Sequence, residues 1–300
     1  MPDDSRLPWT DEQWATMQRI VQDSARKARV ASSFLPLIGP LPPGQASVPA
    51  LRLDQPDLPQ RLPGEARMRL EIDDGETLKL TTIACEVYLR TQQAEDPDLA
   101  SAKQMLGRAA DIIGRLEDAI VFNGLTEQDE PPKIDDELAV KPEVYTVRGP
   151  RQAGLLDTGD LECTEPVEHL AEGGGHLVNA VASAIHRLES LGHYGPFACV
   201  LGHTLYKAAN TPNEGSLVLP SDRIVPFLDG GPLRRSSVVP PDRGVIIALA
   251  GSPIDLVVAC DVHLKYIQLS LEPRYVLRVS ERFVLRMKQP TARCLLHKEG

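Results

Sequence analysis

The sequence has few aromatic residues and no long apolar run. Only 4% of its 300 residues are aromatic, and no apolar stretch reaches the ~18 residues of a membrane-spanning helix. The first six residues do not resemble a signal peptide. The formal net charge of −10 argues against a nucleic-acid partner, because binding a polyanion needs a basic surface. We therefore expect a globular cytoplasmic protein that binds neither a nucleic acid nor a membrane.

Cysteines are scarce and far apart, and none belongs to a CxxC pair. The five are Cys85, Cys163, Cys199, Cys260 and Cys294. An odd, scattered set in a chain of this length is typical of buried thiols in a reducing compartment. The cysteines therefore favour the same cytoplasmic location.

Familiar catalytic motifs are missing from the sequence. It has no GxSxG elbow, P-loop, HExxH pair, or GxGxxG after a predicted strand. The spacing of Cys163, His169 and His176 matches no common zinc signature, and Cys199 lies in an apolar strand, where a thiol is typically inert. The acidic stretch 126–142 lacks the ligand spacing of a calcium loop. We expect no metal, no cofactor and no catalytic residue, and keep a cysteine- or zinc-dependent hydrolase as an alternative.

Apolar residues at helical spacing predict three helices. The first begins at Thr10 or Asp11. Its apolar stripe comprises Trp14, Met17, Ile20 or Val21, and Ser24 or Ala25. The second runs from Asp98, its predicted cap, to Phe122 and is ended by Asn123-Gly124. Its roughly 24 residues span about 36 Å. The third runs from His176 to Leu191 and ends at Gly192.

Alternating residues predict two hairpins and one long strand. The proline-rich segment 36–63 cannot fold on itself. It leads into a hairpin whose arms, 67–72 and 77–81, flank Asp73-Asp74-Gly75. A second hairpin joins 244–250 to 254–259, and a strand of ~46 Å covers 275–288. A lone hairpin is marginal in water, so the first one lies either on its own domain or on a neighbouring subunit.

The stretch "SLGHYGPFACVLG" (Ser190 to Gly202) places His193 and Tyr194 between two glycines. A helix end precedes them, and a buried strand from Phe197 to Leu201 follows. The pair is therefore either part of an active site or the tip of a tight loop.

Four segments of the chain, in this order, resemble motifs of the encapsulins, which are bacterial shell proteins with the HK97-type phage-capsid fold. "LEDAIVFNG" (116–124) is similar to their EDxxIFxG, and "RQAGLLDTG" (151–159) to GxxGLL. "GHYGPFACVLG" (192–202) is similar to GxYGPYALVL, and "ACDVHLKY" (259–266) more loosely to GQDLSIGY. The ending "VSERFVLRMKQPTARCLL" most resembles the branch whose shells load ferritin-like iron-oxidising cargo.

The resemblance implies an α+β fold with the domains of a capsid protein. Residues 1–33 would form an N-terminal helix and arm, and 34–54, 84–148 and 259–300 a peripheral domain. Residues 55–83 would form an extended loop, and 149–258 an axial domain. The expected assembly is an icosahedral homo-oligomer of sixty subunits or a multiple. It would enclose a cargo enzyme of the ferritin-like iron-storage or peroxidase type.

The resemblance also implies two sets of site residues. The five-fold pore would be lined by Leu191, Gly192, His193, Tyr194 and Gly195. His193 is expected to face the opening and to change its charge near a pKa of ~6.5. A cargo targeting peptide would bind Trp14, Met17, Val21, Phe34, Leu37, Ile38 and Tyr266, although these side chains could equally be core.

Two further expectations depend on this resemblance. We expect no flavin, because "YLRTQQAED" has no counterpart of the tryptophan that some relatives stack on a flavin. The main alternative function is a phage or prophage capsid protein that packages DNA, which the net charge of −10 does not favour.

Overall fold

A computed structural model describes residues 7–54, 71–73, 75–125, 143–146, 152–159, 163–168, 174–213, 217–270 and 274–299. Over these ranges no helix is both long enough and apolar enough to span a membrane. The acidic stretch 126–142 and His169 lie outside the described residues, so the expectations for them stay predictions.

The three predicted helices are present and are joined by three short ones. The helices are α1 (Asp11–Ala28), α2 (Thr91–Ala94), α3 (Ala100–Asn123), α4 (Gly175–Ser190), α5 (His203–Ala209) and α6 (Pro220–Ile224). Thr10 caps α1 through a capping box. The Thr10 side chain accepts from the Gln13 backbone N–H, and the Gln13 side chain accepts from the Thr10 backbone N–H. Val21 and Ala25, rather than Ile20 and Ser24, are buried.

The start of α3 differs from the prediction that Asp98 caps it. The side chain of Asp96 accepts hydrogen bonds from the backbone N–H groups of Asp98 and Ala100, each at 3.2 Å. The end is as predicted, at Gly124. Its φ is +76°, and a Cβ there would lie 2.4 Å from the carbonyl oxygen of Gln152, so only glycine fits.

Sheet I, the first of two five-stranded sheets, carries α1 and α3. Its strands in spatial order are β1 (Leu37–Ile38), β12 (Ile254–Leu269), β13 (Arg274–Met287), β6 (Thr81–Arg90) and β7 (Glu143–Thr146). β1 runs parallel to β12, and the other pairs are antiparallel. The long predicted strand is confirmed as β13. Leu277, Val279 and Phe283 of β13 share one apolar core with α1 and α3.

Sheet II carries α4, α5 and α6 over a separate core. Its strands in spatial order are β10 (Leu233–Arg235), β9 (Phe197–Leu201), β11 (Arg243–Ala248), β14 (Arg293–Lys298) and β8 (Thr164–Val167). The predicted hairpin of 244–250 with 254–259 is wrong, because β11 lies in sheet II and β12 in sheet I. Residues 254–258 thus lie in sheet I with the rest of β12, and β14 lies in sheet II.

A two-stranded ribbon leaves sheet I. Its strands are β2 (Ser47–Pro49), β3 (Arg52–Asp54), β4 (Glu71–Asp73) and β5 (Thr77–Lys79). β2 pairs with β5, and β3 with β4. The predicted hairpin around Asp73-Asp74-Gly75 is wrong in the part that the structure describes, since 71–73 and 77–79 pair with residues 47–54 instead of with each other. Residues 55–70, which include Met68 and Leu70, are outside the described ranges. The base of the ribbon packs Val48 and Leu80 against Val257 and Val284.

One cysteine pair contradicts the prediction of buried thiols throughout. Cys163 and Cys294 form a disulfide that joins the start of β8 to β14. Cys85 and Cys199 are buried as expected, whereas the Cys260 thiol is exposed. The two bonded cysteines are 131 positions apart and meet only when sheet II forms, so their spacing carries no signal.

Two glycines of α3 provide a matched test of its packing on α1. At Gly114 a Cβ would lie 3.0 Å from both the Ala25 oxygen and the Ala28 Cβ, whereas at Gly107 its nearest neighbour is the Ser24 Oγ at 3.5 Å. We expect Gly107→Ala to stabilise the protein by roughly 0.5–1 kcal/mol, because alanine favours helix. Gly114→Ala should destabilise it by about 1–3 kcal/mol through overpacking. Thermal unfolding followed by circular dichroism measures both; equal shifts would contradict the close approach of the helices.

Candidate functional site

The loop between α4 and β9 holds the predicted pore residues. Gly192 ends α4 with a φ of +85°, and the His193 backbone N–H donates to the Leu188 carbonyl at 2.9 Å. Leu191 and Tyr194 are exposed, the latter by 63%. Gly195 packs against the next loop, where a Cβ would lie 3.0 Å from that of Asp229. The loop is a tight turn that presents Tyr194.

His193 makes a contact within its own subunit, and the prediction that it faces a pore opening stays a prediction. His193 is half-buried, and its Nε2 lies 2.8 Å from the Thr291 Oγ1 at the start of β14. The backbone at Gly192 turns the ring back toward sheet II, so the exposed side chain at the tip is Tyr194. The tight loop, rather than an active site, is therefore the better interpretation of the His-Tyr pair.

The named candidates for a hydrolase are poorly suited to catalysis. Burial raises the pKa of the Cys199 thiol to about 12, so it stays protonated near neutral pH. Cys163 is disulfide-bonded. Across the described part of the chain, no group of three or more His, Cys, Asp or Glu side chains could hold a metal ion.

The predicted cargo residues fall into two groups. Met17 and Val21 are fully buried between α1 and α3, so the prediction that they contact a peptide is wrong. They face the core because they occupy the centre of the apolar stripe. Trp14, Phe34 and Tyr266 are half-buried at the rim of that core.

Leu37 and Ile38 remain on the surface, at the edge of sheet I. Their side chains are 54% and 42% exposed. Because β1 is only two residues long, it covers β12 only at Leu256 and Val257.

Further along, α1 covers the edge of β12 through Gln18. The Gln18 Nε2 donates to the Val262 carbonyl at 3.3 Å, and its Oε1 accepts from the Leu264 N–H at 2.8 Å. One amide thus replaces a neighbouring strand and blunts the edge. Sequence reasoning considered only the apolar stripe of this helix and missed this role of Gln18.

Just after α1, Arg29 enters a cluster of carboxyl groups that sequence reasoning also missed. Its Nε lies 2.5 Å from the Glu117 Oε2 of α3, and its Nη2 lies 2.5 Å from the Glu281 Oε1 of β13. Its Nη1 reaches the Asp261 Oδ1 of β12 at 3.0 Å. The Glu117 and Glu281 side chains are 0% exposed, whereas that of Asp261 is 65% exposed.

Asp118, next to Glu117, anchors the segment that follows α1. Its two carboxylate oxygens accept from the backbone N–H groups of Val30 and Ala31, each at 2.8 Å. Glu117 and Asp118 are the acidic pair of "LEDAIVFNG". The pair therefore acts as a structural anchor, which attaches the N-terminal helix to α3.

The cluster holds more buried carboxyl groups than cations. Burial, and then the charge of Glu281, raise the pKa of Glu117 well above its usual range, although Arg29 opposes this. Burial also raises the pKa of Glu281, again against Arg29. Burial raises the pKa of Asp118 to about 7, despite the backbone hydrogen bonds that favour its ionised form. The cluster therefore keeps protons that ordinary carboxyl groups would lose.

Comparisons with known proteins agree with this arrangement of sheets, ribbon and loop. Residues 154–284 match the family described as "Encapsulating protein for peroxidase". The type 1 encapsulin shell protein EncA of Myxococcus xanthus is 25% identical over 299 residues, which cover 98% of this chain and 95% of that protein.

Solved structures show the same fold over nearly the whole chain. The virus-like particle from Pyrococcus furiosus matches with a TM-score of 0.66 at 15% identity, over 95% of this chain and 100% of that one. The capsid of the Myoviridae phage XM1 matches with a TM-score of 0.61 at 14% identity, over 88% of this chain and 90% of that one.

Substituting Arg29 tests whether the carboxyl cluster holds α1. We expect Arg29→Met to weaken the attachment by about 3–5 kcal/mol at pH 8, because it leaves buried carboxylates without a cation. Arg19→Met, on the exposed face of the same helix, should change it by less than about 0.5 kcal/mol. The urea midpoint of tryptophan emission measures both variants, and equal midpoints would contradict the anchoring role.

Proposed function

We propose that this chain is an encapsulin-type shell protein with the HK97-type capsid fold, and that sixty copies or a multiple assemble into a closed icosahedral nanocompartment. As a shell protein it is structural and not an enzyme. The observation that carries the proposal is the end-to-end match to the Pyrococcus particle, which leaves none of that chain uncovered. We place the compartment in the cytoplasm.

The surface of the single chain supports assembly through repeated contacts. In the described part of the ribbon, Ile72 of β4 is 59% exposed. On the helical side of sheet II, Leu217, Val218 and Phe227 are also exposed. Neighbouring copies, related by rotation about the symmetry axes, would cover them through heterologous contacts.

We further propose that the shell captures a cargo enzyme by a targeting peptide. The five candidate contacts that remain are Trp14, Phe34, Leu37, Ile38 and Tyr266. An extended peptide that fills apolar pockets among them would gain about 1.5–3 kcal/mol per fully buried side chain. The C-terminal resemblance favours a ferritin-like iron-storage cargo, and the description of the matching family names a peroxidase.

Electron microscopy of the purified chain tests the assembly. We expect negative stain to show uniform hollow spheres, with an ultraviolet spectrum of protein without nucleic acid. Particles filled with DNA would instead favour the phage-capsid alternative, whose fold this chain shares. A monomer or dimer at every concentration would contradict both.

We propose that residues 191–195 line the five-fold pore, with Tyr194 at its rim. Because Tyr194 is the exposed tip of the loop, Tyr194→Ala should widen the opening and speed the uptake of iron into cargo-loaded shells.

His193→Ala tests the remaining prediction that this side chain titrates at the pore. The pH profile of uptake between about pH 5.5 and 7.5 would then flatten.

The control for the pore is Tyr88→Ala. Tyr88 is an exposed tyrosine of β6 in sheet I, at 46%, away from the α4–β9 loop. The Tyr88→Ala variant should leave iron uptake unchanged. Identical uptake by the wild type and Tyr194→Ala, in shells that assemble normally, would rule out a pore at this loop.

A further inference from the structure

We propose that the carboxyl cluster around Arg29 is a proton-controlled latch for the N-terminal helix α1. The helix is held firmly while the buried carboxyl groups retain protons, and its attachment loosens when those protons leave. This inference concerns one subunit and does not depend on shell assembly.

The cluster provides the polar contacts that attach the C-terminal end of α1. At the other end, the Trp9 Nε1 donates to the Ala94 carbonyl at 3.0 Å. Between the two ends, Met17, Val21 and Ala25 pack into the core. Gly114 of α3 lets the last turn of α1 approach closely enough for the guanidinium of Arg29 to reach its partners. A change of charge at this end therefore acts directly on the attachment of the helix.

The charges that face Arg29 come from three elements. α3 supplies Glu117 and Asp118, β12 supplies Asp261, and β13 supplies Glu281. β6 places the apolar Ile83 opposite Glu281. With Asp261 largely in solvent, three buried carboxyl groups face one cation. Full ionisation would leave a net charge of −2 inside the protein (−3 + 1 = −2).

Other titratable groups nearby have contacts of their own. The Cys260 Sγ lies 3.3 Å from the His263 Nδ1, and Arg282 is the cross-strand partner of Cys260. On the helices, Asp111 of α3 feels the charges of Arg108, Arg115 and Lys27. These groups surround the cluster, but none of these contacts supplies a second cation to Glu117 or Glu281.

A second buried carboxylate of sheet I shows what a balanced site looks like. Asp255 lies 2.9 Å from the Nε of Arg286 and 3.0 Å from the Nζ of Lys288. Two cations face one carboxylate there, the reverse of the ratio at Arg29. Among the buried carboxyl groups of the described residues, those near Arg29 therefore outnumber their cations, whereas Asp255 does not.

The direction of the pH effect follows from proton binding. With raised pKa values in the docked state, Glu117, Glu281 and Asp118 bind more protons than in the released state. The stabilisation of the attached helix by these protons is complete below the ordinary carboxyl pKa of ~4. It is lost as pH rises through the pKa values of the docked state, and for Asp118 that pKa is about 7. The attachment of α1 is therefore strongest in mild acid and weakest in mild alkali.

The chain carries its own reporter of this latch. It has two tryptophans, Trp9 and Trp14, whose rings lie 5.8 Å apart between centroids on the N-terminal segment. Tryptophan emission therefore reports on α1 alone. Trp14 is also a proposed cargo contact, so pH-dependent capture would follow; that consequence rests on the proposed function, whereas the latch does not.

The experiment titrates tryptophan emission of the full-length assembled protein from about pH 5.5 to 9.5. In the wild type we expect a red shift as pH rises, with faster hydrogen exchange in residues 11–28. Glu117→Gln and Glu281→Gln each remove one excess charge while keeping the shape of the side chain. Each should move the midpoint upward by about one pH unit or more, or abolish the transition.

Glu86→Gln is the matched control. Glu86 is also a carboxylate of sheet I bound to an arginine, with its Oε1 2.6 Å from the Arg278 Nη2, but it is partly exposed. Its midpoint should equal that of the wild type.

Two results would overturn the latch. One is wild-type emission that does not change over this pH range; the other is an unshifted midpoint in both glutamine variants. If neither variant assembles, infrared spectroscopy of the wild type decides. Protonated carboxyl groups that persist at pH 7 support the proposal, and their absence refutes it.

Discussion

The burial of one arginine among several carboxyl groups is the constraint on which the packing of α1 and α3 against sheet I depends. Arg29 connects α1 to α3 and to strands β12 and β13 of sheet I, and Asp118 fixes the backbone that follows. Removing such groups from water costs several kcal/mol each. That cost is offset only in the complete cluster, so α1, α3 and sheet I are stabilised together.

The second constraint is the way the chain alternates between its two sheets. It leaves sheet II after β11, forms β12 and β13 in sheet I, and returns to sheet II as β14. The disulfide from Cys163 to Cys294 then ties the edge strand β8 to that returning strand, and the contact of His193 with Thr291 ties the α4–β9 loop to the turn just before it. Polar groups in this molecule thus position segments rather than perform chemistry, as a shell protein requires.

Local signals in the sequence predicted the elements well but their partners poorly. The end signal at Gly124 and the apolar stripe that includes Trp14 and Met17 identified helices, because a helix satisfies its hydrogen bonds within a few residues. Asp73-Asp74-Gly75 suggested a hairpin, yet the strands around it pair with residues 47–54. A turn signal states that the chain bends and leaves open which strand it will join.

The sequence by itself determined the helices, the long strand β13 and, through resemblance, the capsid fold. Only the tertiary structure decided that His193 turns inward while Tyr194 is exposed, that Met17 and Val21 are core, and that Glu117 and Asp118 anchor α1. The reason is the same in each case. Burial, ion pairing and raised pKa values arise between groups far apart in the chain, and their energies exist only once folding has brought them together.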